Sequence, residues 1–528
     1  MGISASWNYS RCLEATVHTR TTPVLIVGAG LGGLSTALFL GLHGVPALVA
    51  ERHPGTSLEP KARGQMPAAM EALRAAGLER AFLDAAPPGR PEMTIAIAES
   101  VTGRVFHSIT EAMPDFARYS PAPTGMVSQE RAEPLLAARA AELGADIRFS
   151  TRLESFTDGP DGVTAVLRDL TTGEAYEVEA AYLVGADGHR GGIREAAGIG
   201  AHGRGTIGES TSLLFEADLD LALDGAAVQM HYLQNPALPG GSGAFVSTDT
   251  PGRFVAAVEA RAPRDEEGAR EIVRLVTGLP ELEVKLLGAT TWSTACRVAD
   301  RFSSGRVHLV GDAAHVMPPT GGQGGNSALM DGHHLAWKLA AVVRGQAGPG
   351  LLDSHDAERR PFAECLVEQQ YANMVHRMSP HLADDTVAER IDPARLLFGY
   401  RCPAGAFVPE PTAPSDDALF EDPAAPSGRP GTRAPHVPLA GGSTRDLYGR
   451  GFVLLTDDEG RRSAAERAAE RLGVPVAVPA LAGDWAAAHG VTPSGAVLVR
   501  PDGLIAWRER AQGDPAEVER ALRVVLDR

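Results

Sequence analysis

The longest stretch of hydrophobic residues without a charged side chain runs from Thr21 to Ala50 and is long enough to cross a bilayer. Six glycines and two prolines interrupt it. The remaining pattern divides into a short apolar run (VLIV), a glycine turn, a longer apolar segment (LSTALFLGLHG) and a second short run (ALVA). This order predicts a strand, a helix and a second strand, and it disfavours a transmembrane helix.

Hydrophobic periodicity divides the rest of the chain into units. Alternating strand and helix patterns predict an α/β domain in three pieces, whereas short alternating runs between Gly and Pro turns predict a mixed β-sheet domain with one covered face. Recurring prolines predict an extended linker, and a final β, α, β, β, β, α pattern predicts a separate C-terminal domain. The predicted ranges are 1–21 (N-terminal extension), 22–85, 125–200 and 290–380 (α/β domain), 86–124 and 201–289 (sheet domain), 381–400 (helical connection), 401–438 (linker) and 439–528 (C-terminal domain).

The charge and the cysteine content of the chain bear on which partners and ligands it can bind. The chain carries 49 basic and 66 acidic residues, a net charge of −17, and it has no Lys/Arg block. We therefore predict no nucleic-acid or membrane partner. The four cysteines are scattered without a C-x-x-C pair, so neither a disulfide framework nor a metal site is indicated. A cytoplasmic protein is expected.

A dinucleotide-binding pattern lies at the first predicted turn. Gly28, Gly30 and Gly33 form G-x-G-x-x-G directly after a strand and at the start of a helix. The glycines permit a tight turn, close approach of a pyrophosphate and close packing of helix on strand. Glu51 ends the next strand, 18 residues after Gly33, where a carboxylate can accept ribose hydroxyls. An acid at this position favours FAD or NAD over NADP.

A second G-x-G-x-x-G match, at Gly203, Gly205 and Gly208, is weaker. No apolar strand leads into it and no amphipathic helix follows. We predict a glycine-rich connection there.

Two later segments share the strand-to-turn pattern. One runs from Tyr182 into Asp187-Gly188, and the other runs from Val307 into Gly311-Asp312 and then through a Pro- and Gly-rich turn into a helix. An aspartate at a strand end suits a ribityl hydroxyl, and glycine amides suit an anion or a flavin carbonyl. Either segment alone is equally consistent with an ordinary strand-to-helix turn.

Taken together, the three motifs closely resemble those of the class A flavoprotein monooxygenases, the group typified by para-hydroxybenzoate hydroxylase. The third reads G-D-A-A-H-x-x-P-P-x-G-G-x-G-x-N, from Gly311 to Asn326. The resemblance extends over roughly residues 22 to 528 and is closest to actinobacterial aromatic polyketide hydroxylases, especially the anthracyclinone (aklavinone-type) enzymes. It implies a discontinuous Rossmann-like FAD-binding domain in the three α/β pieces, a substrate-binding sheet domain and a thioredoxin-like C-terminal domain without redox cysteines.

The resemblance also implies a reaction. FAD would be reduced by NADPH or NADH as a transient co-substrate and would react with dioxygen to a C4a-hydroperoxide, which hydroxylates a polycyclic aromatic polyketide in antibiotic biosynthesis. A Baeyer–Villiger insertion or oxidative rearrangement on a similar substrate is an alternative, and a flavin-binding assembly subunit is a non-enzymatic one. A monomer or a homodimer is expected.

The implied cofactor site departs from the family pattern at two positions. Lys61 stands where an Arg is usual, with Arg63 two residues later, and Gly191 stands where a Ser usually follows the Asp-Gly pair. Gln129 matches the flavin-contacting glutamine of the family. The predicted cofactor-binding residues are Gly28, Gly30, Leu31, Gly33, Glu51, Arg52, Lys61, Arg63, Gln129, Asp187, Gly188, Gly311, Asp312, Pro319, Gly321, Gly322, Gly324 and Asn326.

Three residues are candidates for contact with the substrate or for catalysis. Tyr232 lies on an alternating strand, Arg377 on a long helix and His315 in the GDAAH segment. A cation near the substrate would favour the phenolate, whose ground-state pKa is about 10. The alternatives are a packed tyrosine, a solvated arginine and a turn-stabilising histidine.

Overall fold

A computed structural model describes residues 19–528 except 60–62, 88–89, 110–114, 220–225, 262, 264, 411–417 and 482. The helices are α1 (Leu31–Leu42), α2 (Pro67–Ala75), α3 (Glu79–Asp84), α4 (Gln129–Glu142), α5 (Ile193–Ala196), α6 (Glu266–Thr277), α7 (Gln323–Val343), α8 (Asp353–Arg377), α9 (Pro393–Phe398), α10 (Glu459–Leu472), α11 (Trp485–Ala488) and α12 (Glu517–Val525). The protein is a mixed α/β structure, as predicted.

The strands fall into three larger sheets and two short pairs. They are β1 (Thr19–Val27), β2 (Ala47–Ala50), β3 (Arg63–Gln65), β4 (Arg90–Ala98), β5 (Val105–Ser108), β6 (Gly125–Ser128), β7 (Asp146–Arg148), β8 (Thr151–Asp158), β9 (Val163–Asp169), β10 (Ala175–Gly185), β11 (Ala201–Glu216), β12 (Ala226–Gln234), β13 (Ser242–Ser247), β14 (Arg253–Val258), β15 (Lys285–Ala299), β16 (Ser303–Ser304), β17 (Val307–Leu309), β18 (His315–Val316), β19 (Pro438–Leu439), β20 (Gly442–Ser443), β21 (Phe452–Thr456), β22 (Val476–Ala477), β23 (Ala496–Val499) and β24 (Ile505–Glu509).

The first sheet has the order β16-β17-β10-β1-β2-β7, with β9 and β8 added beside β10. Strands β17, β10, β1, β2 and β7 are parallel. Leu25 of β1 pairs with Leu183 of β10 on one side and with Leu48 of β2 on the other. Because both faces of this centre are buried, its strands are continuously apolar. The carboxyl ends of β1, β10 and β17 therefore meet at one edge, where all three sequence motifs begin.

The second sheet has the order β18-β15-β11-β14-β13-β12-β4-β5. Its neighbours are antiparallel except β12 and β4, which run parallel. Helix α6 covers one face, where Phe215, Phe245 and Phe254 form a hydrophobic core. Long β15 extends to Ala299, so this sheet continues beyond the predicted boundary at residue 290.

Two predictions from the sequence are wrong. The second glycine motif does not lie in a connection but inside β11, whose pairing with β15 is broken by register shifts between His202 and Gly205 and between Thr206 and Gly208. Glycines here accommodate bulges, because a Cβ on Gly203 would lie 2.7 Å from the carbonyl oxygen of Cys296. The connection at 381–400 is only partly helical. A short 3-10 helix spans Pro380–Leu382, and the next helix, α9, begins at Pro393.

The C-terminal unit is a four-stranded sheet of order β22-β21-β23-β24, flanked by α10 and α12. Strands β21 and β22 are parallel, whereas β23 runs antiparallel to β21 and to β24. It shares one hydrophobic cluster with α7, through Trp337 and Ala341. No helix within the described ranges is long and apolar enough to cross a membrane.

Candidate active site

The turn between β1 and α1 is closed by glycines. Gly28 has φ +107°, and a Cβ added to it would lie 2.1 Å from the carbonyl oxygen of Ala186. A Cβ on Gly33 would lie 1.9 Å from the carbonyl oxygen of Gly28. Gly30 begins α1 without a side-chain cap, so the first amides of the helix, beginning at Leu31, are left for another acceptor. A side chain would therefore not fit at Gly28 or Gly33, and Gly30 leaves the start of α1 without a side-chain cap.

Glu51 supports this turn from the end of β2. Its Oε2 accepts a hydrogen bond from the amide of Ala29 at 2.7 Å, and its Oε1 accepts one from the amide of His53 at 2.8 Å. The carboxylate is nearly buried. Nδ1 of His53 also contacts Oε1, at 2.6 Å, so a ribose hydroxyl would bind at Oε2. The neighbouring Arg52 is exposed.

Gln129 is brought to the same place by α4. Its Nε2 donates to Oε1 of Glu133 at 2.6 Å, and Oε2 of Glu133 accepts from the amide of Ser57 at 2.8 Å. The same Glu133 Oε1 lies 3.8 Å from the position of a Cβ on Gly30. Glu133 is a buried carboxylate that was not predicted from the sequence. Its spacing of four residues from Gln129 on a helix is the spacing at which two side chains can contact each other.

Asp187 follows β10 and lies beside this turn. Its Oδ2 accepts from the amide of Ile193 at 3.1 Å, while its Oδ1 is buried and has no hydrogen-bond partner among the described residues. Burial raises the pKa of Asp187. Gly188 has φ +78° with nothing near its missing Cβ. A Cβ on Gly191 would lie 2.0 Å from the Asp187 carboxylate, so the serine usual in the family would require Asp187 to shift.

The third motif is held by a buried ion cluster. Asp331 of α7 accepts from the amide of Gly311 at 2.9 Å, from Nε2 of His315 at 2.7 Å and from Nε of Arg359 at 2.8 Å. Burial alone would raise the pKa of Asp331, but His315 and Arg359 hold it well below its usual value. This contact holds His315 in the turn, and Asp312, which precedes it in the same turn, is exposed.

Asn326 ties the glycine turn to β3. Its Oδ1 accepts from the amide of Met66 at 2.8 Å, and its Nδ2 donates to the carbonyl oxygens of Gly64 at 3.0 Å and Gly322 at 2.8 Å. Gly322 has φ +65° and precedes α7. Nothing lies closer than 4.0 Å to a Cβ placed on Gly324, so this side of the turn is open. Pro319 is exposed beside it, and Gly321 lies against Gln370 of α8.

Arg63 is directed towards the second sheet. Its guanidinium forms an ion pair with Asp249, which follows β13, and both side chains are buried. Lys61 lies outside the described residues. Asp249 was not identified from the sequence, because an isolated aspartate in a Thr-Asp-Thr turn carries no motif.

Tyr232 of β12 and Arg377 of α8 come together at the same turn. Nη1 of Arg377 donates to the carbonyl oxygen of Thr320 at 2.9 Å and lies 3.5 Å from the hydroxyl of Tyr232. Nε of Arg377 is buried and has no hydrogen-bond acceptor in the described ranges. The two candidates, from different units, therefore meet beside the Pro-Pro-Thr-Gly-Gly segment.

These features fit FAD. The uncapped amides of α1 suit a pyrophosphate, and the unpaired Oδ1 of Asp187 suits a hydroxyl or amide donor of the cofactor. The open faces of Gly188 and Gly324 leave room for close approach. All of these groups lie along one edge of the parallel sheet.

Comparison with known proteins gives the family. The family described as "FAD binding domain" matches residues 21–370, and the family described as "Aromatic-ring hydroxylase, C-terminal" matches residues 427–528. The chain belongs to the FAD-dependent aromatic-ring hydroxylases. This confirms the resemblance read from the three motifs and makes the protein an FAD-dependent aromatic monooxygenase.

Several hydroxylases are similar over nearly the whole chain. Aklavinone 12-hydroxylase RdmE of Streptomyces purpurascens is 42% identical, with 96% of this chain and 99% of that protein covered. 4-Methyl-5-nitrocatechol 5-monooxygenase of Burkholderia is 37% identical, covering 96% and 98%. The crystal structure of a ternary complex of aklavinone-11 hydroxylase with FAD and aklavinone superposes with a TM-score of 0.90 at 40% identity, covering 96% and 99%.

Three residues of this hydroxylase have the side chains and the spacing of metal ligands, but they already contact cationic side chains. His334, Glu358 and Asp502 place ligand atoms within 4.8 Å of one another. Glu358 accepts from Nζ of Lys338 at 2.7 Å, and Arg500 pairs with both carboxylates. The negative charge is therefore already compensated.

Proposed function

We propose that this monooxygenase hydroxylates a polycyclic phenol or quinone of the aromatic polyketide class, in antibiotic or other secondary-metabolite biosynthesis. The substrate class is supported by the relatives, which include aklavinone hydroxylases and a tetracenomycin A2 monooxygenase-dioxygenase from Streptomyces glaucescens. The observation that carries the proposal is the meeting of Tyr232 and Arg377 with Thr320, where the β12 sheet reaches the glycine turn.

Arg377 is proposed to bind the reacting phenol as its phenolate. A guanidinium remains charged at neutral pH, and a fixed cation within a few ångströms favours the anionic form of a phenol. Its Nε lacks a partner in a buried setting, so a substrate oxygen would satisfy a donor that is now unsatisfied. Tyr232, buried against it, orients the guanidinium through ring and hydroxyl.

The cofactor residues are proposed to share the work by position. Gly28, Gly30, Leu31 and Gly33 bind the pyrophosphate, Glu51 binds ribose, and Asp187 with Gly188 contacts the adjoining part of FAD. Residues Gly311 to Asn326 lie against the flavin, with His315 as a positioning residue instead of a base. Bound FAD supplies electron transfer from a nicotinamide nucleotide and the activation of dioxygen. The protein holds the phenol, shields it from water and maintains its deprotonated state.

NADPH is the proposed donor, with NADH as the alternative, and either binds transiently. Within the described ranges, only the β1–α1 turn joins a parallel strand to a helix through G-x-G-x-x-G, because the second match lies in β11. The nicotinamide nucleotide therefore lacks a dinucleotide unit of its own in that part of the chain.

The finer domain assignment is also proposed. The three α/β pieces form a Rossmann-like FAD-binding domain, the second sheet covers the substrate, and residues 439–528 form a thioredoxin-like domain. The order β22-β21-β23-β24, with one parallel and two antiparallel pairings, supports the last assignment. No cysteine follows Cys402, so this domain cannot perform thiol exchange.

The test is an aerobic titration of the FAD-loaded protein with NADPH or NADH, with and without a panel of polycyclic phenols. Substrate-stimulated oxidation of the nucleotide, with a product heavier by one oxygen atom, is expected. The position of that oxygen atom in the product distinguishes ring hydroxylation from Baeyer–Villiger insertion or rearrangement. Nucleotide oxidation that yields only hydrogen peroxide with every phenol would contradict the proposed substrate class.

A further inference from the structure

We propose that Asp249 is a positioning residue for the flavin: it fixes β3 against the glycine turn and neutralises the charge of Arg63 there. The proposal rests on the proposed placement of FAD along Gly311 to Asn326. No motif contains Asp249, and it belongs to the sheet that covers the substrate. Its carboxylate nonetheless reaches across to the FAD-binding unit.

The surroundings of Asp249 are specific. Its side chain is fully buried, and its Oδ2 accepts from the amide of Ser128 at 2.9 Å and from the hydroxyl of Ser128 at 2.6 Å. The guanidinium of Arg63 pairs with the same carboxylate. Arg131 lies 3.8 Å from Oδ2 and donates to the main-chain oxygen of Asp249 at 2.7 Å. A turn of the substrate sheet is thus anchored on β3, β6 and α4.

Strand β3 lies between this anchor and the proposed flavin turn. The carbonyl oxygen of Arg63 lies 3.4 Å from the position of a Cβ on Gly322, and the carbonyl oxygen of Gly64 accepts from Asn326. Any displacement of β3 would therefore move Asn326 and Gly322. Asp249 is the link through which the substrate sheet acts on the turn.

The charge balance gives the pair an electrostatic role as well. Both terminal nitrogens of Arg63 are buried, and within the part of the chain that the structure describes they have no hydrogen-bond acceptor apart from the ion pair. Burial lowers the pKa of Arg63, and Asp249 opposes that effect, with a smaller contribution from Glu130. Without Asp249, the charge of Arg63 would keep the smaller compensation from Glu130 and would lie beside a second guanidinium, that of Arg131. A positive charge close to a flavin stabilises its reduced, more negative form.

The test is a double-mutant cycle on the FAD-loaded enzyme: wild type, Asp249→Asn, Arg63→Gln and the double variant. The readout is the midpoint potential of the bound flavin, measured anaerobically without substrate. Asp249→Asn is expected to raise the potential and Arg63→Gln to lower it, while the double variant returns close to wild type. Peroxide released per NADPH consumed is expected to rise in Asp249→Asn, because a misplaced reacting group loses rate on the order of 100-fold.

The matched control is Glu368→Gln. Glu368 of α8 pairs with Arg204 of β11, which is another ion pair between the two units but without contact to β3. The flavin midpoint potential and the peroxide yield of Glu368→Gln are expected to equal those of wild type. Potential shifts of the same sign in both single variants, a shift in only one of them, or no shift in either would overturn the proposal. If Asp249→Asn binds no FAD, recovery of binding in the double variant supports the neutralised pair and failure to recover overturns it.

This readout separates two failures. Because the potentials are measured without a phenol, absence of any hydroxylated product would refute the proposed function and leave the cycle interpretable. Conversely, an unaltered potential in Asp249→Asn with normal hydroxylation would refute only the role of Asp249.

Discussion

The hydroxyl of Tyr232 lies 3.5 Å from Nη1 of Arg377, and the guanidinium carbon of Arg377 lies 5.4 Å from the centre of the Tyr232 ring. These residues are 145 positions apart in the chain and belong to different structural units. The arginine also donates to Thr320 in the glycine turn. One cation therefore links the second sheet, helix α8 and the proposed flavin turn.

Arg377→Gln is expected to lower kcat/KM for the phenol on the order of 100-fold, because it removes a fixed charge that stabilises an oxyanion. Tyr232→Phe keeps the ring and removes one weak hydrogen bond, so its loss is expected to stay under about tenfold. Steady-state kinetics with each variant tests this, with the visible spectrum of bound FAD as the control for folding. A larger loss in Tyr232→Phe than in Arg377→Gln would reverse the assigned roles.

Two matched glycine substitutions test which of the two G-x-G-x-x-G sequences is needed for FAD binding. Gly28→Ala is expected to abolish FAD binding, since its Cβ would meet Ala186 at 2.1 Å at a positive φ. Gly208→Ala is expected to bind FAD normally, because nothing lies within 4 Å of its Cβ position. Fluorescence titration of the apoproteins with FAD measures both. Equal weakening by both substitutions would show that the difference in environment is not decisive.

The sequence was most informative where chemistry requires local spacing. The βα turn at Gly28, the Asp187-Gly188 pair and the Gly311 to Asn326 segment each follow a strand, and parallel strands bring their carboxyl ends together. The contacts of Asp249 and Asp331 were not predictable in this way, because their partners come from distant elements and no periodic pattern marks them. The glycines of β11 were predicted to form a connection because glycines are typical of turns, whereas in the structure they form bulges in a long strand.

Gly191 gives a prediction against the family pattern. Gly191→Ser restores the residue usual in the family but places its Cβ within 2.0 Å of the Asp187 carboxylate. We therefore expect it to weaken FAD binding, because Asp187 must turn away from its bond with the amide of Ile193. Gly192→Ser, at a position with nothing within 4 Å, is the control. Tighter FAD binding in Gly191→Ser would show that Asp187 has another acceptable position.

Buried histidines predict a loss of stability in mild acid. Burial lowers the pKa of His308 and of His333 to about 3 and that of His355 to about 4, from 6.5 in the unfolded chain. Below pH 6.5 the unfolded state binds protons that the folded state does not, so stability is complete above 6.5 and falls as the pH decreases towards 4. Each group contributes at most about 1.4 kcal/mol per pH unit in this window.

Urea unfolding of the holoenzyme between pH 7.5 and 5 measures this dependence. A variant such as His308→Gln, which removes one of the three groups, is expected to show a shallower slope. A midpoint independent of pH across this range would contradict the buried, neutral state of these imidazoles.

The carboxylate of Asp502 links α7 to the C-terminal unit. Asp502 accepts from Nδ1 of His334 at 3.0 Å and from Nε1 of Trp337 at 2.9 Å, and it pairs with Arg500. Burial would raise the pKa of Asp502, but Arg500 and His334 hold it well below its usual value. The C-terminal unit therefore docks on the part of α7 that contains His334 and Trp337.

Asp502→Asn is expected to destabilise the holoenzyme by about 3 to 5 kcal/mol, because it leaves a buried guanidinium with less compensation. Glu517→Gln, which breaks the exposed pair with Arg520, is expected to leave the unfolding midpoint unchanged. Since α7 begins at the glycine turn, Asp502→Asn is also expected to release FAD at a lower urea concentration than wild type, followed by flavin fluorescence. Loss of stability without earlier release of FAD would mean that the docking surface and the start of α7 unfold independently.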